Sequence, residues 1–196
     1  MGAYDSQVND MVSSHATHRF TVAEYHRMYE AGVFATNANI ELIDGELVES
    51  LVTMKPAHAA AVVEIAQALI GLLGFRAQVR SQVPITLGDF SEPEPDICIA
   101  RISPTKYTTG HPGAGDIFAI IEVADTSRAF DLQRKVPLYA ALGIPETWVV
   151  DLTESLIHIF RKPLERKYSE PSVAAFAHEV ALEAFPHLPF RIADLF

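Results

Sequence analysis

The 196-residue chain is 49 % hydrophobic and 20 % charged, a balance that excludes disordered, collagen-like and long coiled-coil chains, and its length suits one domain with trimmings. A formal net charge of −10 excludes a sequence-independent coat for nucleic acid, because such binding depends on Lys and Arg meeting phosphates; a local basic surface or a bound cation is the one way around that average. The single Cys98 excludes an internal disulfide. The first residues lack a secretory pattern, and the longest charge-free apolar stretch, Ile65 to Phe75, is too short for a membrane crossing, so a cytoplasmic protein with no membrane partner is expected.

Residues 1–18, polar and aperiodic with His15 and His18, read as a mobile leader ahead of a single domain over 19–196. Thr21 and Glu24 form a capping box for a short helix that Gly32 stops. In the run Ile40-Glu-Leu-Ile-Asp-Gly-Glu-Leu-Val48, Asp44-Gly45 sits between apolar stretches and signals a β-hairpin. After Pro56, the apolar positions Ala59, Val62, Val63, Ala66, Leu69, Ile70 and Leu73 keep helical spacing up to Gly74. From Phe75 to Leu87 the period switches to two, predicting one long half-exposed strand.

Pro95 to Ala100 predicts a second strand, and Ile117 to Val123 a third, whose unbroken apolar run implies burial on both faces. Asp131 to Leu142 reads as a helix ended by Gly143, with Pro137 calling for a kink or a start later than Asp131. Thr147 to Asp151 returns as a buried strand, Ser155 to Phe160 pairs with it, Arg161 to Lys167 reads as a basic turn, and the tail after Pro171 is weakly patterned. The core order is therefore helix, three strands, helix, strand: a mixed α/β (α+β) fold with a helix and hairpin in front. No glycine-rich phosphate loop, GxSxG elbow, HExxH or paired CxxC is present.

A carboxylate near the end of a buried apolar strand needs a cationic partner, which makes Glu122 informative. Asp96 begins the preceding strand, and neighbouring strands lie about 4.8 Å apart, so the two acids can converge where a shared divalent ion would turn their repulsion into attraction. Taken singly, Asp96 also fits a turn or cap, Glu122 a buried salt bridge, and Lys135 an i,i+4 pair with Asp131. Trp148 and Tyr139 read as packing groups, Cys98 as a small buried hydrophobe and Glu46 as a solvated hairpin charge. The cluster Arg161, Lys162, Arg166 and Lys167 fits either phosphate contact or a solvated turn.

The hairpin run, His58 at a helix start, Pro95-Asp96, Ile121-Glu122-Val123, Thr126-Ser127, Asp131, Lys135, Tyr139, Gly143 and Glu146-Thr-Trp-Val-Val-Asp151 together resemble the Uma2 restriction endonuclease family over about residues 20–196. The resemblance implies the PD-(D/E)XK nuclease fold, a restriction endonuclease-like core, and metal-dependent hydrolysis of DNA phosphodiester bonds. It implies Asp96 and Glu122 as ligands of Mg²⁺ (or Mn²⁺), the Val123 carbonyl as a further ligand, and Lys135 as the cation that orients the attacking water. Glu41 takes the family's acidic hairpin position among the catalytic residues, and His58 an accessory one that equally suits a helix-start hydrogen bond. Ala124 stands where the strict motif has lysine. A homodimer acting on two DNA strands is expected, and a catalytically weak DNA-associated or regulatory module on the same fold is the alternative.

Overall fold

The computed structural model describes residues 16–35, 38–50 and 54–195; most of the leader, residues 1–15, lies outside them. Helix α1 (Val22–Glu30) starts on the expected box, with Thr21 Oγ1 accepting from the Glu24 N–H at 3.2 Å and Glu24 Oε2 accepting from the Thr21 N–H at 2.8 Å. Strands β1 (Ile40–Ile43) and β2 (Glu46–Glu49) form the hairpin, in register Ile43 to Glu46. Asp44 and Gly45 both have positive φ, 53° and 81°, and a Cβ at position 45 would stand 2.6 Å from Arg19 Cβ, so both conformation and space demand glycine there.

Helix α2 (Pro56–Leu73) has proline in its first turn, where no intrahelical N–H is lost, and buries Ala61, Val62, Ile65, Ala66, Leu69 and Leu73. It is longer than its charge-free stretch, and among the described helices it is the one long and apolar enough to cross a membrane by length and composition. Its buried stripe instead packs on one face of a sheet, against Ile97, Ile99, Ile121, Val123 and Trp148.

The sheet has six strands in chain order: β3 (Gln78–Ser81), β4 (Ile97–Ala100), β5 (Ile117–Ala124), β6 (Glu146–Asp151), β7 (Leu156–Leu164) and β8 (Lys167–Ala175). Only β5 and β6 run parallel; the other neighbours are antiparallel. The crossover between them is a helical rod: α3 (Arg128–Phe130), a π turn (Asp131–Lys135) and α4 (Val136–Ala141). The rod covers the opposite face, where Tyr139 packs with Cys98 and Ile120, and Val136 and Ala140 with Val149. Arg128 Nε, 2.9 Å from the Asp151 Oδ2 atom, ties the start of the rod to the end of β6. The order helix, three strands, helix, strand is the one expected.

Three details differ from the sequence reading. The long strand from Phe75 is only four residues: Gly74–Arg76 is a 3₁₀ turn with Phe75 fully exposed, and Gln82 at φ 52° turns the chain out of the sheet. Ile85 and Leu87 keep their alternation but pair locally, with N–H groups donating to Pro93 O and Ser91 O, and bury in the rod-side core. Periodicity reports which side chains are buried, not which strand satisfies the backbone. The rod begins before Asp131, and Pro137 is accommodated by the π turn, in which the Val136 N–H donates to Asp131 O five residues back. Arg161 and Lys162 extend β7, with the turn at Glu165-Arg166, and the tail returns to the α2-side core through Val180, Leu182, Phe185 and Ile192.

Candidate active site

Pairing of Ile97 with Ile121 in the antiparallel β4–β5 ladder puts Asp96 beside Glu122, on the rod-facing side that Cys98 and Ile120 share. The Asp96 N–H donates to Glu122 Oε2 at 3.3 Å, and Asp96 Oδ2 accepts from the Val123 N–H at 2.8 Å. The two carboxylates are thus fixed against each other's backbone, at the point where β4 begins and β5 nears its end.

The rod contributes from above. Lys135, 5 % exposed, sets Nζ 3.4 Å from Glu122 Oε1 and 3.2 Å from Glu41 Oε2. One turn later the buried Tyr139 hydroxyl donates to Glu122 Oε1 at 2.6 Å. Asp131 does not pair with Lys135 as the i,i+4 reading had it; its Oδ2 accepts from Ser127 Oγ at 2.6 Å. The π turn carries both Asp131 and Lys135 inward, where both line the cavity.

From the other side, Glu41 on β1 accepts from the Glu94 N–H at 3.1 Å, and His58, in the first turn of α2, places Nε2 3.1 Å from Asp96 Oδ1. Lys55, just before α2, lies 3.0 Å from Asp125 Oδ2. These elements enclose a cavity of about 510 Å³. Its walls carry seven carboxylates (Glu41, Glu49, Glu94, Asp96, Glu122, Asp125 and Asp131) against Lys55, Lys135 and His58.

That excess of acid shows in the protonation equilibria. Burial pushes Glu122 up to about 8 against the pull of Lys135, with Asp131 and Asp96 adding to the rise. Asp131 is pushed up to about 6, again chiefly by burial. Burial disfavours the Lys135 ammonium, but the surrounding carboxylates, Glu122 and Glu41 first, outweigh it and hold its pKa above the ordinary value. The hydrogen bond to Asp96 raises His58.

Asp96, Glu122, Lys135, Glu41 and His58 therefore meet here, and Val123 enters through its N–H to Asp96. Tyr139, Asp131 and Glu94 were missed as site residues. Tyr139 lies four residues after Lys135, a spacing that signals a shared helix face, whereas Glu94 sits in an irregular segment with no periodicity to read. The basic cluster of the β7–β8 turn divides among separate partners: Arg161 bonds Glu146, Lys162 pairs with Glu170 and Arg166 approaches Asp44. Cys98 and Trp148 are buried in the core and Glu46 is exposed, paired with Arg134, as read.

As a cation site the donors are hard oxygens. Among the described residues no group of three or more His, Cys, Asp or Glu side chains is spaced to enclose an ion alone. A pair of carboxylates in an acid-rich cavity fits Mg²⁺, which commonly takes one or two carboxylates and fills the rest of its octahedron with water and phosphate oxygens.

The chain matches the Uma2 family, described as "Putative restriction endonuclease", over residues 22–193. Among solved structures it is similar to a "putative nuclease belonging to DUF820" from Anabaena variabilis ATCC 29413, with 18 % identity, 90 % of this chain and 97 % of that chain covered, and a TM-score of 0.67. No curated protein matches it.

Proposed function

Because this chain belongs to the Uma2 family, we propose that it is a Mg²⁺-dependent endonuclease that hydrolyses DNA phosphodiester bonds at the Asp96–Glu122–Lys135 centre. The observation that carries the reading is the convergence of two strand carboxylates and a helix ammonium, with Lys135 Nζ 3.4 Å from Glu122 Oε1. Asp96 and Glu122, with the Val123 carbonyl, are the residues that would hold the ion. When bound, Mg²⁺ (or Mn²⁺) supplies charge stabilisation at the phosphate and lowers the pKa of a coordinated water.

The chain's own groups do the positioning. His58 fixes one oxygen of Asp96 and the Val123 N–H the other. Tyr139 and the Asp96 N–H take one oxygen each of Glu122, so the carboxylate has no freedom to rotate away. Lys135 brings the only ammonium of the rod into the cavity, where it can hold a water and offset developing negative charge on the phosphate. Glu41 neutralises that ammonium from the hairpin side and fixes its direction. A homodimer, pairing two such centres for two strands, belongs to the same proposal.

A non-hydrolytic DNA-associated role is favoured by two observations: the Lys135 ammonium is already shared by two carboxylates, and Ala124 leaves β5 with no lysine of its own. Incubation with supercoiled plasmid separates the two. Nicking that needs Mg²⁺ or Mn²⁺ and is lost in Glu122→Ala supports the nuclease; calorimetric metal binding without nicking supports the other.

A further inference from the structure

Nine of the fifteen lysines and arginines lie within 4 Å of a carboxylate. Among the described residues six are left without one: Arg27, Arg76, Arg80, Arg101, Lys106 and Lys167. Four of these six lie on β3 or in the segments that adjoin it and its neighbour β4, at the open edge of the sheet. Arg80 lies on β3 opposite Cys98, and Arg101 directly follows Ala100, which is opposite Gln78. The Arg80 guanidinium sits 5.2 Å over the Tyr107 ring, beside Lys106 in sequence, and the Tyr107 hydroxyl donates to Arg101 O at 2.9 Å. Arg76 is exposed in the 3₁₀ turn that leads into β3.

This cluster is built, not incidental. Lys106 and Tyr107 both hold positive φ, 53° and 58°, an uncommon conformation for non-glycine residues, and it presents the ring to Arg80. Arg101 flanks the edge from the α2 side, stacked 4.5 Å over Phe118 with its Nε donating to Gly115 O at 3.1 Å, while Arg80 and Tyr107 flank it from the rod side. Arg80 Nε is buried without a hydrogen-bond partner. Asp116, whose backbone oxygen accepts from the Arg101 N–H, accepts from the Gly113 N–H with its side chain and comes within 4 Å of none of these cations.

The cluster also points at the cavity. Gln82, two residues beyond Arg80, lines it, and the Gln82 N–H donates to Asp96 O at 3.1 Å. From Gln82 back to Gln78 the chain spans at most about 13 Å, roughly four charge spacings at about 3.4 Å along one nucleic-acid strand. A cavity whose walls are mostly acidic repels a polyanion, so a strand entering it must be gripped elsewhere, and among the described residues this edge is the one concentration of cations left unneutralised.

We propose that the β3 edge is a nucleic-acid track, on which Arg80, Arg101 and Lys106, with Arg76 at the far end, hold consecutive phosphates of a strand that reaches the cavity past Gln82. This rests on the nuclease reading for its purpose, but not for its test. Binding of a fluorescein-labelled 20-nucleotide single-stranded DNA is followed by anisotropy in EDTA between 50 and 200 mM NaCl. The triple variant R80A/R101A/K106A binds at least tenfold more weakly at 50 mM. The slope of log affinity against log salt falls by about 2, since each lost phosphate contact removes about 0.7. K167A, which removes an unpaired lysine far along the chain, stays within twofold of wild type.

R101A/K106A alters only exposed side chains and keeps the test valid should R80A disturb folding; it weakens binding at least fivefold. A triple variant that binds as wild type does, a K167A loss of equal size, or a wild type that binds no strand overturns the track. Hydrolysis of bis(p-nitrophenyl) phosphate with Mg²⁺ is measured in parallel. Its persistence in the triple variant supports a track separate from the chemistry, and a wild type that neither hydrolyses it nor nicks supercoiled plasmid with Mg²⁺ defeats the nuclease reading while leaving the binding result to stand by itself.

Discussion

Replacing Lys135 by methionine keeps most of the side chain's volume and removes its charge. The ammonium lies 3.2 Å from Glu41 and 3.4 Å from Glu122, and at an effective dielectric near 20 each attraction is about 5 kcal/mol before desolvation. Desolvation of all three ions cancels most of that, yet breaking a buried pair from one side still costs about 3–5 kcal/mol because the abandoned carboxylates stay buried. Glu122, pushed up to about 8 by burial even with the ammonium present, already carries a proton in much of the population at pH 7.5, so the unit-charge figure is an upper bound for its share and it neutralises further when the ammonium goes. The net loss is therefore set at the low end, about 3 kcal/mol, which for a chain of this size lowers Tm by about 6–12 °C. Thermal unfolding followed by circular dichroism in EDTA at pH 7.5 measures it, with K135R as the variant that keeps the charge. A loss below about 2 °C in K135M would refute the placement of this ammonium between two buried acids.

Tyr139→Phe removes one donor from Glu122 without changing shape, and costs about 1–3 kcal/mol in chemical unfolding, as expected for a buried acceptor left short of a partner. Phe75 is fully exposed, so Phe75→Ser shifts stability by less than about 0.5 kcal/mol; a larger loss would restore the long strand read from the sequence. Burial pushes the Cys98 thiol up to about 12, which leaves on the order of 10⁻⁴ of it as thiolate at pH 8, so iodoacetamide labels it only after unfolding, as mass spectrometry will show.

The acidic half of the site was legible from the residues alone, whereas the roles of Lys135, Glu41 and His58 came from the family resemblance. Glu122 is an acid inside an apolar strand, and Asp96 stands at a strand start, so the pairing of their strands follows once both are read as neighbours. Lys135 and Tyr139 share a helix face, but only Lys135 was assigned a role, through that resemblance; an aromatic at such spacing is normally packing, and nothing local marks a hydroxyl that will face a carboxylate. Asp131 was assigned to Lys135 by helical spacing. The π turn that Pro137 accompanies changes the angular step per residue, and Asp131 meets Ser127 instead.

The amino-acid order by itself determined the core order of helix, three strands, helix and strand, though not the length of β3 or the existence of β8: a capping box, glycine stops, period two against period 3.6, and the Asp44-Gly45 turn are energies paid within a few residues, so they are written locally. What the tertiary structure alone decided is where separate segments meet. That Gln82 leaves the sheet, that Glu41 crosses from a hairpin to a helix ammonium, and that four unpaired cations gather on one edge depend on contacts between residues distant in the chain. Electrostatic and packing energies of that kind are functions of distance in space, and no pattern along the chain encodes a distance that only folding creates.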